Sequence, residues 1–230
     1  MLPKTFEQLP AAMQREAVRP YFEALSKKRG ALLLKRLADI VLSAVMLSVL
    51  FPVLLLLALA VVLDSRGGVF YRQVRVTTFG RQFRIFKFRS MVAEADKQGP
   101  LVTVGEDSRI TRVGRFIRKT HLDELPQLIN VLLGDMSFVG TRPEVPKYVA
   151  HYTDEMYATL LLPAGITSHT SVKYHDEARL LESAEDADKT YTEVILPQKM
   201  QYNLEYVKDF TVFSDIKTII ETAKLFFGGK

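Results

Sequence analysis

Residues 40–63 read IVLSAVMLSVLFPVLLLLALAVVL, 24 consecutive residues without a charge and with Pro52 at their middle. As a helix this run is about 36 Å long, enough to cross the hydrocarbon core of a bilayer and more than a buried helix of a soluble domain ordinarily needs. Pro52 lacks a backbone donor, and its ring clashes with the preceding turn, so the helix is expected to kink or break there. Basic residues stand on both flanks: Lys27, Lys28, Arg29, Lys35 and Arg36 before the run, Arg66, Arg72, Arg75, Arg81 and Arg84 after it. Positive charge marks the cytoplasmic side of a membrane segment, so a simple crossing has no preferred direction here. Two readings follow. A kinked span places its ends on opposite faces. A re-entrant helix breaks at Pro52 and returns to the face it entered, each half of about 18 Å dipping into one leaflet. The run is too long, begins too late and lacks the small-residue cleavage site of a secretory signal.

The 230-residue chain supports one compact domain besides this segment. Its formal charge of +5 suits anionic headgroups and phosphate-bearing substrates. Nucleic acid is the competing partner class, but no nucleic-acid motif is present and a membrane segment argues against it. With no cysteine there is neither a disulfide framework nor a thiolate metal site.

The chain divides into a polar, partly helical arm at 1–34, the membrane helix at 35–65 and a globular domain at 66–230. In the arm a helix is expected over 11–28, stopped by Gly30. Residues 69–75 (VFYRQVR) and 82–88 (QFRIFKF) alternate apolar and polar side chains around a glycine-containing loop, which predicts a β-hairpin. Its recurring cations either form a binding face or a solvated one. Residues 91–106 read as a helix giving way to a loop, and 110–118 as a basic amphipathic stretch. Residues 125–133 form an apolar helix ended by Gly134. A loop at 140–143, a helix over 147–162, a turn at 163–167 and an acidic segment at 180–188 follow. Two helices are expected within 191–227. The last carries a wide apolar face, including Phe213, Ile216, Ile219 and Ile220, that belongs either in the core or on a membrane surface.

Asp123 and Glu124 stand directly before LPQL, and proline is accepted in a first helical turn, so a helix is expected to start at or just after Asp123. A carboxylate there is first of all a good N-cap. A functional reading is also open. A helix start offers free N–H groups to phosphate. Neighbouring carboxylates diverge by about 100° and can take different roles. One can attack phosphorus, and the other can hold a Mg²⁺ that bridges phosphates. Arg112, Arg115, Arg118, Lys119 and Arg142 lie close by in sequence and can neutralise phosphate charge.

KRLAD at 35–39, Pro52, the hairpin sequences with FRIFKFRSM, and RKTHLDELPQLINVLLGDMSFVGTRPEVP at 118–146 resemble the bacterial sugar transferases, the small monotopic phosphoglycosyl transferases. The resemblance covers roughly residues 33–227. It implies an α+β, mainly helical monotopic membrane protein. Such a protein has a proline-broken re-entrant helix, a small β-hairpin and amphipathic helices on the membrane surface. It also implies an enzyme at the cytoplasmic face of the inner membrane that starts capsule, exopolysaccharide or related glycan assembly. That enzyme moves a sugar 1-phosphate from a UDP-sugar to undecaprenyl phosphate and releases UMP, with Mg²⁺ as cofactor and membrane lipids as partners. Nucleic acid has no part in it, and a homodimer is a compatible assembly. By this resemblance Asp123 is the nucleophile that forms a phosphosugar-aspartyl intermediate, and Glu124 is the Mg²⁺ ligand. Arg118, Arg142 and Pro143 bind phosphate, Lys87 and Arg89 at the basic hairpin end join them in binding substrate phosphate, and Pro52 breaks the re-entrant helix. Three features depart from the pattern. Thr141 replaces the first proline of a Pro-Arg-Pro loop. Residues 162–168 read LPAGITS, followed by Lys173, Tyr174 and His175, where relatives often read otherwise, which leaves the donor sugar open. The arm at 1–34 is additional to the smallest members. The alternatives are a single-span, membrane-anchored binding protein without activity, and a polyprenyl-phosphate glycosyl transferase that releases UDP.

Overall fold

The structure, a computed structural model, describes residues 2–93, 95, 107–174, 180, 181, 184 and 186–227. It is mainly helical with short strands. Helix α1 spans Arg19–Ser26, and α2 spans Arg29–Asp64 with Pro52 inside it. Of the kink or break expected at Pro52, a break into two helices is not seen: α2 continues past the proline. A helix interior tolerates proline at the loss of one backbone bond, here to the Ser48 carbonyl, for about 3 kcal/mol. Gly30 likewise lies inside the first turn of α2 rather than stopping a helix before it.

Both ends of α2 are tied to the same globular body. Near its start, Lys35 donates to Val139 O at 2.8 Å and to Asp215 at 2.5 Å. Arg36 donates to Val131 O and Leu132 O at 2.6 and 2.9 Å, and Asp39 accepts from Ser137 Oγ and from the Phe138 N–H. At its end, Arg89 donates to Ser65 O and Arg66 O, both at 2.6 Å, and Asp64 accepts from the Val113 N–H. Many flanking cations are thus bonded to backbone carbonyls, where the charge also complements helix C-termini. The middle of α2 projects bare: Val49 is 70% exposed, Phe51 62% and Leu56 67%.

The arm is not a polar appendage. Leu2, Phe6, Leu9, Met13, Val18, Phe22 and Leu25 are buried in the main core with Ile195, Leu196, Met200 and Phe210. Of the helix expected over 11–28, only α1 forms; two single 3₁₀ turns, Ala11–Met13 and Glu16–Val18, precede it, and a third, Phe6–Gln8, lies further upstream. Pro20 falls in the first turn of α1, a position where proline is accepted but beyond which a helix cannot extend back without losing a bond.

The hairpin forms as two antiparallel ladders. Strands β1 (Phe70–Tyr71) and β4 (Lys87–Phe88) pair with Tyr71 opposite Lys87; β2 (Val74–Val76) and β3 (Gln82–Arg84) pair with Arg75 opposite Phe83. Helix α3 spans Arg112–Lys119, and α4 spans Gln127–Leu133. Gly134 ends α4 at φ 87°, a left-handed position that glycine adopts without a Cβ clash. Strand β5 (Met136–Val139) then pairs in parallel with β6 (Ala164–Thr167). The single helix expected over 147–162 is instead a short helix, Pro146–Val149, and a 3₁₀ stretch, Met156–Leu161, separated by the turn-forming Thr153 and Asp154. The element expected over 91–106 falls largely outside the described residues, as do His175 and part of the acidic segment at 180–188.

The last helix, Val212–Phe227, is inside out. Phe213 is 76% exposed, and Ile216 and Ile220 are each 49% exposed, whereas Asp215 and Thr218 are buried. Asp215 accepts from Lys35 and from Tyr206 Oη, and Thr222 shares a hydrogen bond with Thr167 on β6. The apolar stripe therefore does not pack into the core.

Candidate active site

Asp123 and Glu124 lie on a 3₁₀ turn, Leu122–Glu124, between α3 and α4. Helix α4 itself begins only at Gln127, so the helix start expected at Asp123 is displaced by four residues. Asp123 makes no capping bond, and among the described residues its carboxylate has no hydrogen bond at all. The N-cap reading is thereby lost. His121 opens the turn at φ 55°, a left-handed backbone that is strained for any residue but glycine and typical of functional turns.

The turn is held from both sides. A Cβ on Gly114 of α3 would meet Ser90 O at 1.9 Å, so only glycine lets this helix approach the strand end that closely. Thr111 caps α3, accepting from the Gly114 N–H at 2.9 Å. On the other side Asn130 of α4 accepts from the Phe86 N–H at 2.8 Å and donates to Arg84 O at 3.1 Å. Asn130 thereby fixes the hairpin against α4 and aims Lys87, one residue on, at the acidic turn. Lys87 Nζ donates to Glu124 Oε1 at 2.6 Å, and Arg142 Nη2 lies 3.5 Å from the same oxygen.

These side chains line one cavity of about 560 Å³ that also includes Arg118 and His121. Burial raises the Asp123 pKa above its ordinary value; the Glu124 charge adds to this, and Lys87, Arg118 and His121 oppose it. Burial also opposes ionisation of Glu124, but Arg142 and Lys87 outweigh it and hold this carboxyl down to about 2. One half-buried carboxylate without a hydrogen bond thus sits beside one that is firmly ionised.

Of the cations expected around the site, Lys87, Arg118 and Arg142 come together there, while Arg112, Arg115 and Lys119 are exposed and do not line the cavity. Arg89 lines it, but its terminal nitrogens bond the carbonyls that end α2, so its charge caps that helix. Pro143 lies outside this cavity and accepts from Arg75 Nη1 at 3.0 Å. The cavity is also lined by Arg72, one of the hairpin cations, and by Tyr71, Gln73 and His121, to which the sequence gave no role. Tyr71 was legible in hindsight, because hairpin register places it opposite Lys87.

Among the described residues no group of three or more His, Asp or Glu forms a ready-made metal cage. Asp123 and Glu124 offer two hard carboxylates beside an open cavity. That set fits Mg²⁺, which commonly takes one or two protein carboxylates and completes its shell with waters and substrate phosphates.

The chain belongs to the bacterial sugar transferase family, which residues 30–229 match. It is 39% identical over 195 residues to the UDP-glucose:undecaprenyl-phosphate glucose-1-phosphate transferase of Escherichia coli K12, covering 83% of this chain and 39% of that protein. It is 34% identical over 200 residues to a UDP-N-acetylgalactosamine-undecaprenyl-phosphate N-acetylgalactosaminephosphotransferase of Aeromonas hydrophila, covering 85% and 44%. An undecaprenyl-phosphate galactose phosphotransferase of Salmonella typhimurium is 35% identical over 213 residues, covering 86% and 41%. The chain spans about two fifths of the length of these three relatives.

Proposed function

We propose that this protein transfers a sugar 1-phosphate from a UDP-sugar to undecaprenyl phosphate, releasing UMP, through a phosphosugar-aspartyl intermediate on Asp123. The observation that carries the reading is the Asp123 carboxylate itself. It has no hydrogen bond to any described residue, lines the cavity, and is surrounded by phosphate-compatible cations beside an ionised Glu124. The names of the relatives supply the substrate class. They name three different sugars, so the reading extends to the class of donor and to no single sugar.

In this reading a carboxylate oxygen of Asp123 attacks the β-phosphorus of the donor. The new P–O bond forms as the bond from β-phosphorus to the oxygen bridging to the α-phosphate breaks, and that oxygen leaves with UMP. An oxygen of the lipid phosphate then attacks the phosphoaspartyl phosphorus and returns Asp123 as a carboxylate. Neither step needs a proton. Two displacements let the two substrates use one small site in turn. Arg118 and Arg142 hold the phosphates against Asp123 and offset the charge that develops on their oxygens. Glu124, assisted by Asp123, would hold Mg²⁺, whose chemistry is to offset charge on the phosphates.

The same proposal places the site at the cytoplasmic face of the inner membrane, with α2 re-entrant. Docking of both ends of α2 on one globular body supports this, because a span would put Asp39 and Asp64 on opposite sides of the bilayer. The exposed apolar face of Val212–Phe227 suits the membrane surface beside it. The direct test incubates the purified protein with undecaprenyl phosphate, Mg²⁺ and a panel of UDP-sugars. UMP release with at least one donor is expected, and Asp123→Asn is expected to abolish it. Full activity in that variant refutes the nucleophile, and release of UDP in place of UMP refutes phosphosugar transfer.

A further inference from the structure

The contact between Lys87 and Glu124 joins two groups that would both serve phosphate transfer, yet here they neutralise each other. Glu124 Oε1 lies 2.6 Å from Lys87 Nζ and 3.5 Å from Arg142 Nη2. Both partners of the short pair are four-fifths shielded from water, Lys87 at 20% and Glu124 at 18% side-chain exposure. An ammonium and a divalent cation cannot both sit on this one oxygen. At so short a separation inside a cavity shielded from water, their repulsion is strong. The backbone of Lys87 is fixed in the β1–β4 ladder, but its side chain is a four-carbon stem with several rotatable bonds that lines the cavity.

We propose that Lys87 is a place-holder for the metal. Without substrate its ammonium occupies the metal-binding oxygen of Glu124 and keeps the two acidic residues from recruiting a divalent cation. Arrival of the donor diphosphate draws Lys87 off Glu124 onto phosphate oxygens and frees the carboxylate, so that metal and donor enter together. Lys87 thereby counts twice: as counter-ion of Glu124 before substrate arrives, and as a phosphate contact afterwards. Pre-loading by metal alone would leave the site screened before the donor came; the exchange couples the two events. The inference rests on Glu124 as the metal ligand, the assignment made above.

The test is a Mn²⁺ titration of the full chain without donor, read by the electron paramagnetic resonance signal of free Mn²⁺. Lys87→Gln is expected to bind Mn²⁺ at least tenfold more tightly than the wild type, and Lys87→Arg, which keeps the charge, to bind as weakly as the wild type. Adding UDP is expected to tighten binding strongly in the wild type and only slightly in Lys87→Gln. Arg118→Gln controls for general electrostatics, since it removes a charge from the same cavity without touching Glu124, and its effect is expected to be smaller. Binding by Lys87→Gln that is equal to or weaker than wild type overturns the place-holder, as does an equal gain in Arg118→Gln. The double variant Lys87→Gln with Glu124→Gln separates the two assignments. If it still binds tightly, Glu124 is not the ligand, and the metal assignment fails; if it loses the site, the metal assignment stands and the single variants decide the exchange.

Discussion

Replacing Lys35 by Met should destabilise the protein by about 3–5 kcal/mol, the usual result of removing one partner from a buried ion pair. Lys35 and Asp215 are each 6% exposed, and their charges meet at 2.5 Å. At an effective dielectric near 20 their direct attraction is about 7 kcal/mol, most of it offset by the desolvation of both ions. Each single change therefore leaves an uncompensated charge. Lys35→Met leaves the Asp215 charge with only the Tyr206 hydroxyl at 2.8 Å, and Asp215→Asn leaves the Lys35 ammonium without its ion-pair partner, beside Val139 O at 2.8 Å. The double variant, which keeps an acceptor for Tyr206, should fall well short of the summed losses, by at least about 2 kcal/mol of coupling. The chain has no tryptophan, so unfolding in detergent is best followed by far-ultraviolet circular dichroism against urea. Singles within about 1 kcal/mol of wild type, or a double variant that equals their sum, would refute the reasoning. The pair matters because it joins the start of α2, β5 and the inside-out helix Val212–Phe227.

Two other expectations concern pH and topology. In the proposed mechanism Asp123 attacks as a carboxylate, and its pKa is raised above the ordinary 3.8, so UMP release should fall with decreasing pH earlier than an exposed aspartate would dictate. Arg118 is one of the charges that oppose the rise, so Arg118→Gln should move the acidic midpoint of the rate profile further up; an unmoved or lowered midpoint counts against the electrostatic account. For topology, the chain has no cysteine, so single cysteines at exposed Glu16 and Glu193 report on the two sides of α2. An impermeant maleimide should label neither in intact spheroplasts and both after lysis. Labelling of only one site in intact cells would identify a span.

Several parts of this molecule were legible in the residues alone. The uncharged run at 40–63 could only become a long apolar helix, because nothing within it resists helix except Pro52. The alternation at 69–75 and 82–88 fixed the hairpin, and Gly134 marked the end of α4 because a left-handed residue was needed there. Such signals are local: they act within a turn or a strand pair. The arm at 1–34 was misread for the same reason. Its prolines and charges look like a solvated segment, and only long-range contacts show Phe6, Met13 and Leu25 in the main core. The stripe on the last helix was correctly seen as apolar, but periodicity gives the face of a helix and not the direction in which that face points.

The acidic pair shows the division most clearly. Asp123-Glu124 before LPQL, with arginines nearby, was visible as a candidate for phosphate chemistry from residue types and order. Its partner Lys87 lies 37 positions earlier in the chain and reaches Glu124 only because Asn130 pins the hairpin to α4. Sequence likewise placed Arg89 among the phosphate cations, whereas the fold turns it onto the carbonyls that end α2. By itself, then, the sequence determined what depends on neighbours along the chain: the long apolar helix, the hairpin and the adjacent pair of carboxylates. Only the tertiary structure decided which cations face that pair, which merely cap helices, and that both ends of α2 meet one body, because those outcomes depend on contacts between distant segments that no local pattern encodes.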